Sequence, residues 1–342
     1  TPGYAVMSFY EPHGVTGHII PWNYPMQIFG RSVGGALAAG NACVVKPAED
    51  ACLSLLRIAE LAVECGFPDG ALNIVTGYGH EAGQALADAA GIDHISFTGS
   101  ARVGTLIAQS AARRHVPVTL ELGGKSPVVI GKGADLAKTA ARVMTGKTMN
   151  AGQICLAPDY VLAPKESVPE FVAASKAAVA KMYPTIKDNA DYTAVINQRH
   201  YDRITGLIAD AKAKGGEIVT INPANEDFSQ QEHRKIPPTI ILNATDEMQV
   251  MQEEIFGPVL PVRTVESVDA AITEINARPR PLALYYFGDD NDESEALLNR
   301  THSGGVTIND VIFHFAMDDL PFGGVGPSGM GAYHGHRGFI EF

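Results

Sequence analysis

The chain has 342 residues, 46% of them hydrophobic and 19% charged, enough apolar material for two compact domains with their own cores. Lys and Arg number 26 against 38 Asp and Glu, a formal net charge of −12 that gives nucleic acid or an anionic membrane no electrostatic reason to bind. The apolar runs fall far short of the roughly 18 residues that span a bilayer. The four cysteines, Cys43, Cys52, Cys65 and Cys155, lack paired spacing, so neither a zinc site nor a disulfide framework is signalled and a reducing, cytoplasmic setting fits.

The chain begins at Thr1 rather than Met, and Tyr4–Glu11 reads as a strand with no partner before it, the mark of a fragment. A strand–helix rhythm follows: Val15–Ile20, helix Met26–Ala39, Ala42–Val45, helix Leu53–Glu64, Ala71–Val75, helix Glu81–Ala90 and strand His94–Phe97. Thr98-Gly99-Ser100 then opens a helix with Val103, Leu106, Ile107 and Ala111 at helical spacing. Such alternation predicts a mostly parallel, doubly wound sheet.

After the strand Val116–Leu122, the Gly123-Gly124 pair is the natural switch to a second α/β series. That series runs through Val128–Ile130, helix Leu136–Met149, strand Tyr160–Ala163, helices Pro169–Tyr183 and Tyr201–Lys214, and strands Thr239–Leu242 and Val259–Val265. It continues with helix Val268–Asn276, strand Leu282–Phe287, helix Glu293–Arg300 and strand Val306–Asn309. Phe339–Phe342 reads as the start of a further strand. The expected division is 1–12 as a remnant strand, 13–123 as a cofactor domain, 124–330 as a catalytic domain and 331–342 as a returning segment.

Cys155 ends Asn150-Ala151-Gly152-Gln153-Ile154-Cys155, a small-residue loop where a thiol can be exposed. A lone cysteine is more often core, but the other three lie in the core patterns of the first domain. Glu121 closes an apolar strand, where a carboxylate is a candidate general base or a salt-bridged edge acid. Asn23, between the prolines of Pro21-Trp22-Asn23-Tyr24-Pro25, is either a fixed amide donor for an oxyanion or a turn residue. Thr98, Gly99, Ser100 and Gly104 supply free amides and a helix dipole suited to a pyrophosphate, although GxGxxG is absent and a capped helix explains them nearly as well. Lys46 and Glu49 follow a strand, where an acid meets a ribose in doubly wound sheets. His334-Gly335-His336 has no third ligand at suitable spacing, so no metal is expected.

Taken in order, PWNYP, KPAE, FTGS, ELGGKSP, GQIC, EEIFGP and PFGG, from Pro21 to Gly324, resemble the aldehyde dehydrogenase superfamily. Ala157–Tyr160, Pro281–Tyr285 and Gly329–Gly335 resemble its branch of dimeric aryl and fatty aldehyde dehydrogenases. The resemblance implies oxidation of an aldehyde, aromatic such as coniferyl aldehyde or medium- to long-chain aliphatic, to its acid through a thioester. In it Cys155 is the nucleophile, Asn23 and the Cys155 amide hold the oxyanion, and Glu121 activates the hydrolytic water. It further implies Lys46 and Glu49 at the adenosine ribose, Ser100 at the pyrophosphate, and Glu254 at the nicotinamide ribose with Phe256 nearby. Trp22 is implied to line that pocket, and Tyr24 with the aromatic run Phe313, His314 and Phe315 suggests an apolar, aromatic-friendly substrate site. Glu49 favours NAD, with NADP possible, and the full protein is expected to be a homodimer. A coenzyme A-acylating dehydrogenase, or a relative that keeps the fold without the chemistry, is the alternative.

Overall fold

The structure, a computed structural model, describes residues 3–342. It divides into two compact units. The first ends at Glu121 and takes in Asp318–Phe322 and Met330–Phe342; the second holds Leu122–Met317 and Gly323–Gly329.

In the first unit the strands are β1 (Val15–Ile20), β2 (Ala42–Pro47), β3 (Leu72–Ile74), β4 (His94–Gly99) and β5 (Val118–Leu122), joined by helices α1 (Pro25–Ala38), α2 (Leu53–Glu64), α3 (Gln84–Asp88) and α4 (Ala101–Ala112). β1 pairs in parallel with both β2 and β4, and β2 with β3, so the chain winds outward on one side of β1 and then on the other. In α1, Ile28, Phe29, Ser32, Val33 and Ala36 are buried, one stripe at helical spacing. The apolar four of these, with Ile20, Cys43, Val45, Leu55 and Phe342, form the core of this unit. Pro25 occupies the first turn of α1, where its missing N–H costs nothing.

The second unit carries β6 (Pro127–Ile130), α5 (Leu136–Thr148), β7 (Tyr160–Ala163), α6 (Val168–Met182), α7 (Gln198–Ala213), β8 (Glu217–Thr220), β9 (Thr239–Leu242) and α8 (Gln249–Gln252). It goes on through β10 (Val259–Thr264), α9 (Val268–Asn276), β11 (Ala283–Phe287), α10 (Asp292–Arg300) and β12 (Gly305–Ile308). Its sheet has the order β12-β11-β6-β7-β10-β9-β8, parallel throughout except for the antiparallel edge pair β8 and β9. The strands β6, β7 and β11 are buried on both faces, as parallel strands between helices must be. A short strand β13 (Gly329–Met330) lies beside β5, and the last helix, α11, is Gly335–Glu341.

Two terminal expectations fail. Residues 4–11 form no strand: Tyr4, Val6, Met7, Phe9 and Tyr10 stand 74–100% exposed, because an extended segment with no ladder to join is not a strand. Phe339 lies inside α11, where Gly338 packs close against Tyr333 and Gly35. Glu81–Ala90 is also not one α-helix; its start, Gly79–Gly83, is wound wider, as a π-helix, before α3. The doubly wound α/β class holds for both units.

Candidate active site

The register of the first sheet brings its candidate residues to one edge. Ile19 of β1 is level with Lys46 on one side and Phe97 on the other, so Trp22 and Asn23, Lys46 and Glu49, and Thr98–Ser100 all lie at or just past the carboxyl ends of adjacent strands. Between β1 and β4 the winding reverses, and that switch point is where open α/β sheets leave a crevice. Ser100 caps α4, its hydroxyl accepting the Val103 amide at 3.5 Å. The Ala101 and Arg102 amides of the same first turn have no intrahelical acceptor, and the positive end of a 12-residue helix lies there. Gly104 is buried on the inner side of that turn. The Lys46 ammonium, buried, donates to the Glu49 carboxylate at 3.2 Å, while Glu49 itself is half exposed. This donor set fits a dinucleotide: amides and a dipole for phosphate, and a buried ammonium with a carboxylate for ribose hydroxyls. Trp22 and Asn23 are half-buried in the bend before α1. Tyr24, the residue before that helix, packs against the core of its own unit.

Glu121 is 3% exposed at the end of β5. Two hydroxyls hold its carboxylate: the Tyr333 phenol, and the Thr98 side chain at 3.4 Å. Thr98 thus faces the carboxylate through its hydroxyl. Tyr333 is fixed by a two-way backbone exchange with Phe322, at 2.8 and 2.9 Å, and by an edge-to-face ring contact with the same residue. Next to it the His334 ring stacks on Phe322 and is hydrogen-bonded to Arg31, and burial together with the Arg31 charge lowers its pKa to about 3. His334 is therefore engaged in packing rather than paired with His336. Among the described residues no cluster of three or more His, Cys, Asp or Glu is placed to hold a metal ion.

Cys155 sits in the second unit, half-buried, in the loop between α5 and β7. The contrast drawn from the other cysteines needs correction: Cys43 is buried, but Cys52 is half-buried and Cys65 is exposed, because both flank α2 rather than face the core. What distinguishes Cys155 is its backbone. Asn150, Ala151 and Gly152 are consecutively left-handed, with φ of 49°, 52° and 71°. For Asn and Ala such angles carry strain, which the surrounding contacts must hold in place. Gly152 is obligatory, since a Cβ there would overlap the Gly257 carbonyl. Gln153, 1% exposed, spans the loop: its amide donates to the carbonyls of Asn150 at 2.9 Å and Ala194 at 3.1 Å and accepts the Ile196 amide at 3.0 Å. Beyond it the Ala157 amide donates to the Ile154 carbonyl at 3.0 Å, closing a β-turn with Cys155 at its first corner.

The segment Glu253–Pro258 packs in the same unit. Asp159 accepts the Ile255 amide at 3.0 Å and is paired with Lys125, whose ammonium also donates to the Val250 and Glu253 carbonyls. The Glu254 carboxyl lies flush on Gly123, where a Cβ would overlap both of its oxygens, and it accepts the Gly124 amide. Burial and the neighbouring Asp159 raise its pKa to about 8. Phe256 is half-buried with φ of 48°. The Gly123-Gly124 pair, read in the sequence as a switch, is thus also what admits Glu254.

The sequence profile of the aldehyde dehydrogenase family matches residues 1–342. A probable coniferyl aldehyde dehydrogenase of Caulobacter vibrioides is 56% identical over 335 residues, covering 97% of this chain and 68% of that protein. The coniferyl aldehyde dehydrogenase of Pseudomonas sp. strain HR199 is 50% identical over all of this chain and 70% of its own length. Among solved structures, substrate-bound AldH of Staphylococcus aureus superposes with a TM-score of 0.89 at 38% identity, over 97% of this chain and 70% of that one. Betaine aldehyde dehydrogenase of the same organism, solved with NAD+, gives 0.88 at 33% over 97% and 66%. The chain belongs to the aldehyde dehydrogenase family and is an oxidoreductase that converts aldehydes to carboxylic acids.

Proposed function

We propose that the substrate is an aromatic aldehyde of the coniferyl aldehyde type, that NAD is the preferred cofactor, and that Cys155, Glu121 and Asn23 carry the reaction. Two relatives named for coniferyl aldehyde support the substrate class. The observation that carries the assignment of Cys155 is the strained left-handed run Asn150–Gly152, a backbone cost met immediately before one thiol of four.

The Cys155 thiolate attacks the carbonyl carbon; a C–S bond forms and the π pair moves to oxygen. The Asn23 amide and the Cys155 N–H stabilise that oxyanion. Lys46 and Glu49 would hold the adenosine ribose, Thr98, Gly99, Ser100 and Gly104 the pyrophosphate, and Glu254, Phe256 and Trp22 the nicotinamide end. When bound, the cofactor supplies the hydride acceptor for collapse of the adduct to the thioester. Glu121 then takes a proton from water as the water oxygen attacks the acyl carbon, and Cys155 departs as thiolate. Tyr24 is proposed to line the substrate site. Residues 13–123 are the proposed cofactor domain and 124–330 the proposed catalytic domain, in a cytoplasmic homodimer.

Rates for coniferyl and other aromatic, straight-chain and small aldehydes, each with NAD and NADP, test this. The expected result is the highest kcat/KM for the aromatic class with NAD. A preference for small aliphatic aldehydes, or for NADP, overturns the corresponding part.

A further inference from the structure

The turn that carries Cys155 is tied to the rest of its unit by a phenol from distant sequence. Tyr285, fully buried in β11, donates its hydroxyl to the Leu156 carbonyl at 2.6 Å. Leu156 is the second corner of the β-turn whose first corner is Cys155, so this bond fixes the Leu156–Ala157 peptide that closes the turn. The N–H of that same peptide, on Ala157, donates to the Ile154 carbonyl, so the peptide is held through both its polar groups. The same phenol oxygen accepts the backbone amide of Ile312, and Cys155 is close enough for its charge to be felt there.

Ile312 is itself held in a costly shape. Its φ of 70° and ψ of −35°, with the Phe313 amide donating to the Val311 carbonyl at 2.7 Å, make a γ-turn with positive φ, a rare and strained turn, at a β-branched residue. That turn aims the Ile312 amide at the Tyr285 oxygen and launches the segment Phe313–Ala316, where Phe313 is 52% exposed. Strain at a β-branched residue persists only where surrounding contacts over-determine it. Here a buried phenol receives one strained loop and holds another.

We propose that Tyr285 is a positioning residue for Cys155, locking the orientation of the Cys155 turn, and with it the Cys155 amide, to the loop at Ile312. The inference rests on the reading of Cys155 as nucleophile. Tyr285 acts through the Leu156 peptide and takes no part in bond making. Without the hydroxyl, the Leu156 carbonyl and the Ile312 amide each lose their partner, and the turn relaxes away from the attack geometry. Misplacement of about 1 Å near reacting atoms costs on the order of 10²-fold in rate.

The test is Tyr285→Phe in the whole enzyme, which keeps the ring and removes only the hydroxyl. Tyr286→Phe, one residue along the same strand on its opposite face, is the control for losing a buried phenol oxygen. The pre-steady-state burst of reduced cofactor is measured per titrated Cys155, so misfolded molecules do not enter the rate. Tyr285→Phe is expected to slow the burst about 10- to 100-fold, to alter the pH profile of Cys155 alkylation by iodoacetamide, and to leave the cofactor KM unchanged. Tyr286→Phe should leave burst and pH profile as they are. A burst per thiol equal to wild type in Tyr285→Phe, or an equal loss in both variants, overturns the inference. Mass spectrometry of the wild type separates the two failures: no acyl group on Cys155 sinks the nucleophile reading, whereas an acylated Cys155 with an indifferent Tyr285→Phe sinks only the role of Tyr285.

Discussion

Cys155 and Glu121 are held in opposite ways. Cys155 owes its place to backbone: three left-handed residues, a glycine against a carbonyl, and a β-turn whose closing peptide is held through both its N–H and its C=O. Glu121 continues a regular strand, and its carboxylate is set by side chains, the hydroxyls of Tyr333 and Thr98. A group that must meet a carbon atom at bonding distance gains from a stiff main chain. A group that must move a proton gains from hydroxyl partners that fix one oxygen of its carboxylate and can exchange with water. The two settings therefore respond to different substitutions.

The largest effect is expected at the thiol. Cys155→Ala should remove dehydrogenase and esterase turnover by about 10⁴-fold or more while leaving NAD binding, followed by fluorescence quenching, intact. Retention of either activity above a trace would reassign the nucleophile. Glu121→Gln should instead split the reaction. Cys155 can still form its adduct and transfer hydride once, so a burst precedes a steady rate lowered about 10²- to 10⁴-fold, and acylated Cys155 accumulates for detection by mass spectrometry. Absence of both burst and trapped acyl group, with cofactor binding normal, would mean that Glu121 acts before hydride transfer or only structurally.

The strand–helix rhythm was legible in the sequence because local periodicity encodes it, and with it the placement of Glu121 at a strand end and of Cys155 in a loop. The partners were not. Tyr333 lies 212 residues from Glu121 and Tyr285 lies 129 residues from Leu156, separations that no local pattern reports. Tyr333 did stand in the Gly329–Gly335 run used to place the chain within its family, which was the one available signal. The edge strand β8 (Glu217–Thr220) was passed over because half of its residues are exposed and no apolar alternation marks it. The apolar, β-prone run at residues 4–11 misled in the other direction, since composition alone cannot supply a pairing edge.

Gly152→Ala probes the backbone side of the comparison. The residue has φ of 71°, and a Cβ would overlap the Gly257 carbonyl, which side-chain adjustment cannot relieve. Burst amplitude or rate should fall on the order of 10²-fold, with a stability loss of about 1–3 kcal/mol seen in thermal melts. A wild-type burst in this variant would show that the loop tolerates displacement and that its strain is incidental.

Acid should separate the two units more gently. Burial lowers the pKa of His18, His94 and His334 in the first unit to about 3, and that of His314 in the second to about 4. A histidine held neutral in the fold but protonated when unfolded makes the unfolded state bind more protons. Stability is therefore full above the ordinary value of 6.5 and is lost as pH falls from there toward the folded values. At pH 5.5 each contributes a loss of about 1 kcal/mol, so the first unit, with three, should loosen before the second. Segment-resolved hydrogen exchange at pH 7 and 5.5 reads this directly; equal loss of protection in both units would contradict it.

The smallest effect is expected at the cofactor edge, where Glu49 is half exposed and its charge is screened by solvent. Its carboxylate should accept the ribose 2′-hydroxyl of NAD and repel the 2′-phosphate of NADP. Glu49→Gln removes that repulsion and leaves the buried Lys46 ammonium with one charged partner fewer, so Lys46 becomes available to the phosphate. Both consequences act in the same direction. An exposed charge pair is worth no more than about 1 kcal/mol, which sets the expected narrowing of the NAD-to-NADP ratio of kcat/KM at about 2- to 5-fold, through the NADP value rising more than the NAD value falls. Raised salt should shrink the difference between the variant and wild type, since the repulsion being removed is itself screened. A ratio unchanged at low salt would take the discriminating role away from Glu49, and a fall in the NAD value alone would leave it as a hydrogen-bond acceptor with no part in excluding phosphate.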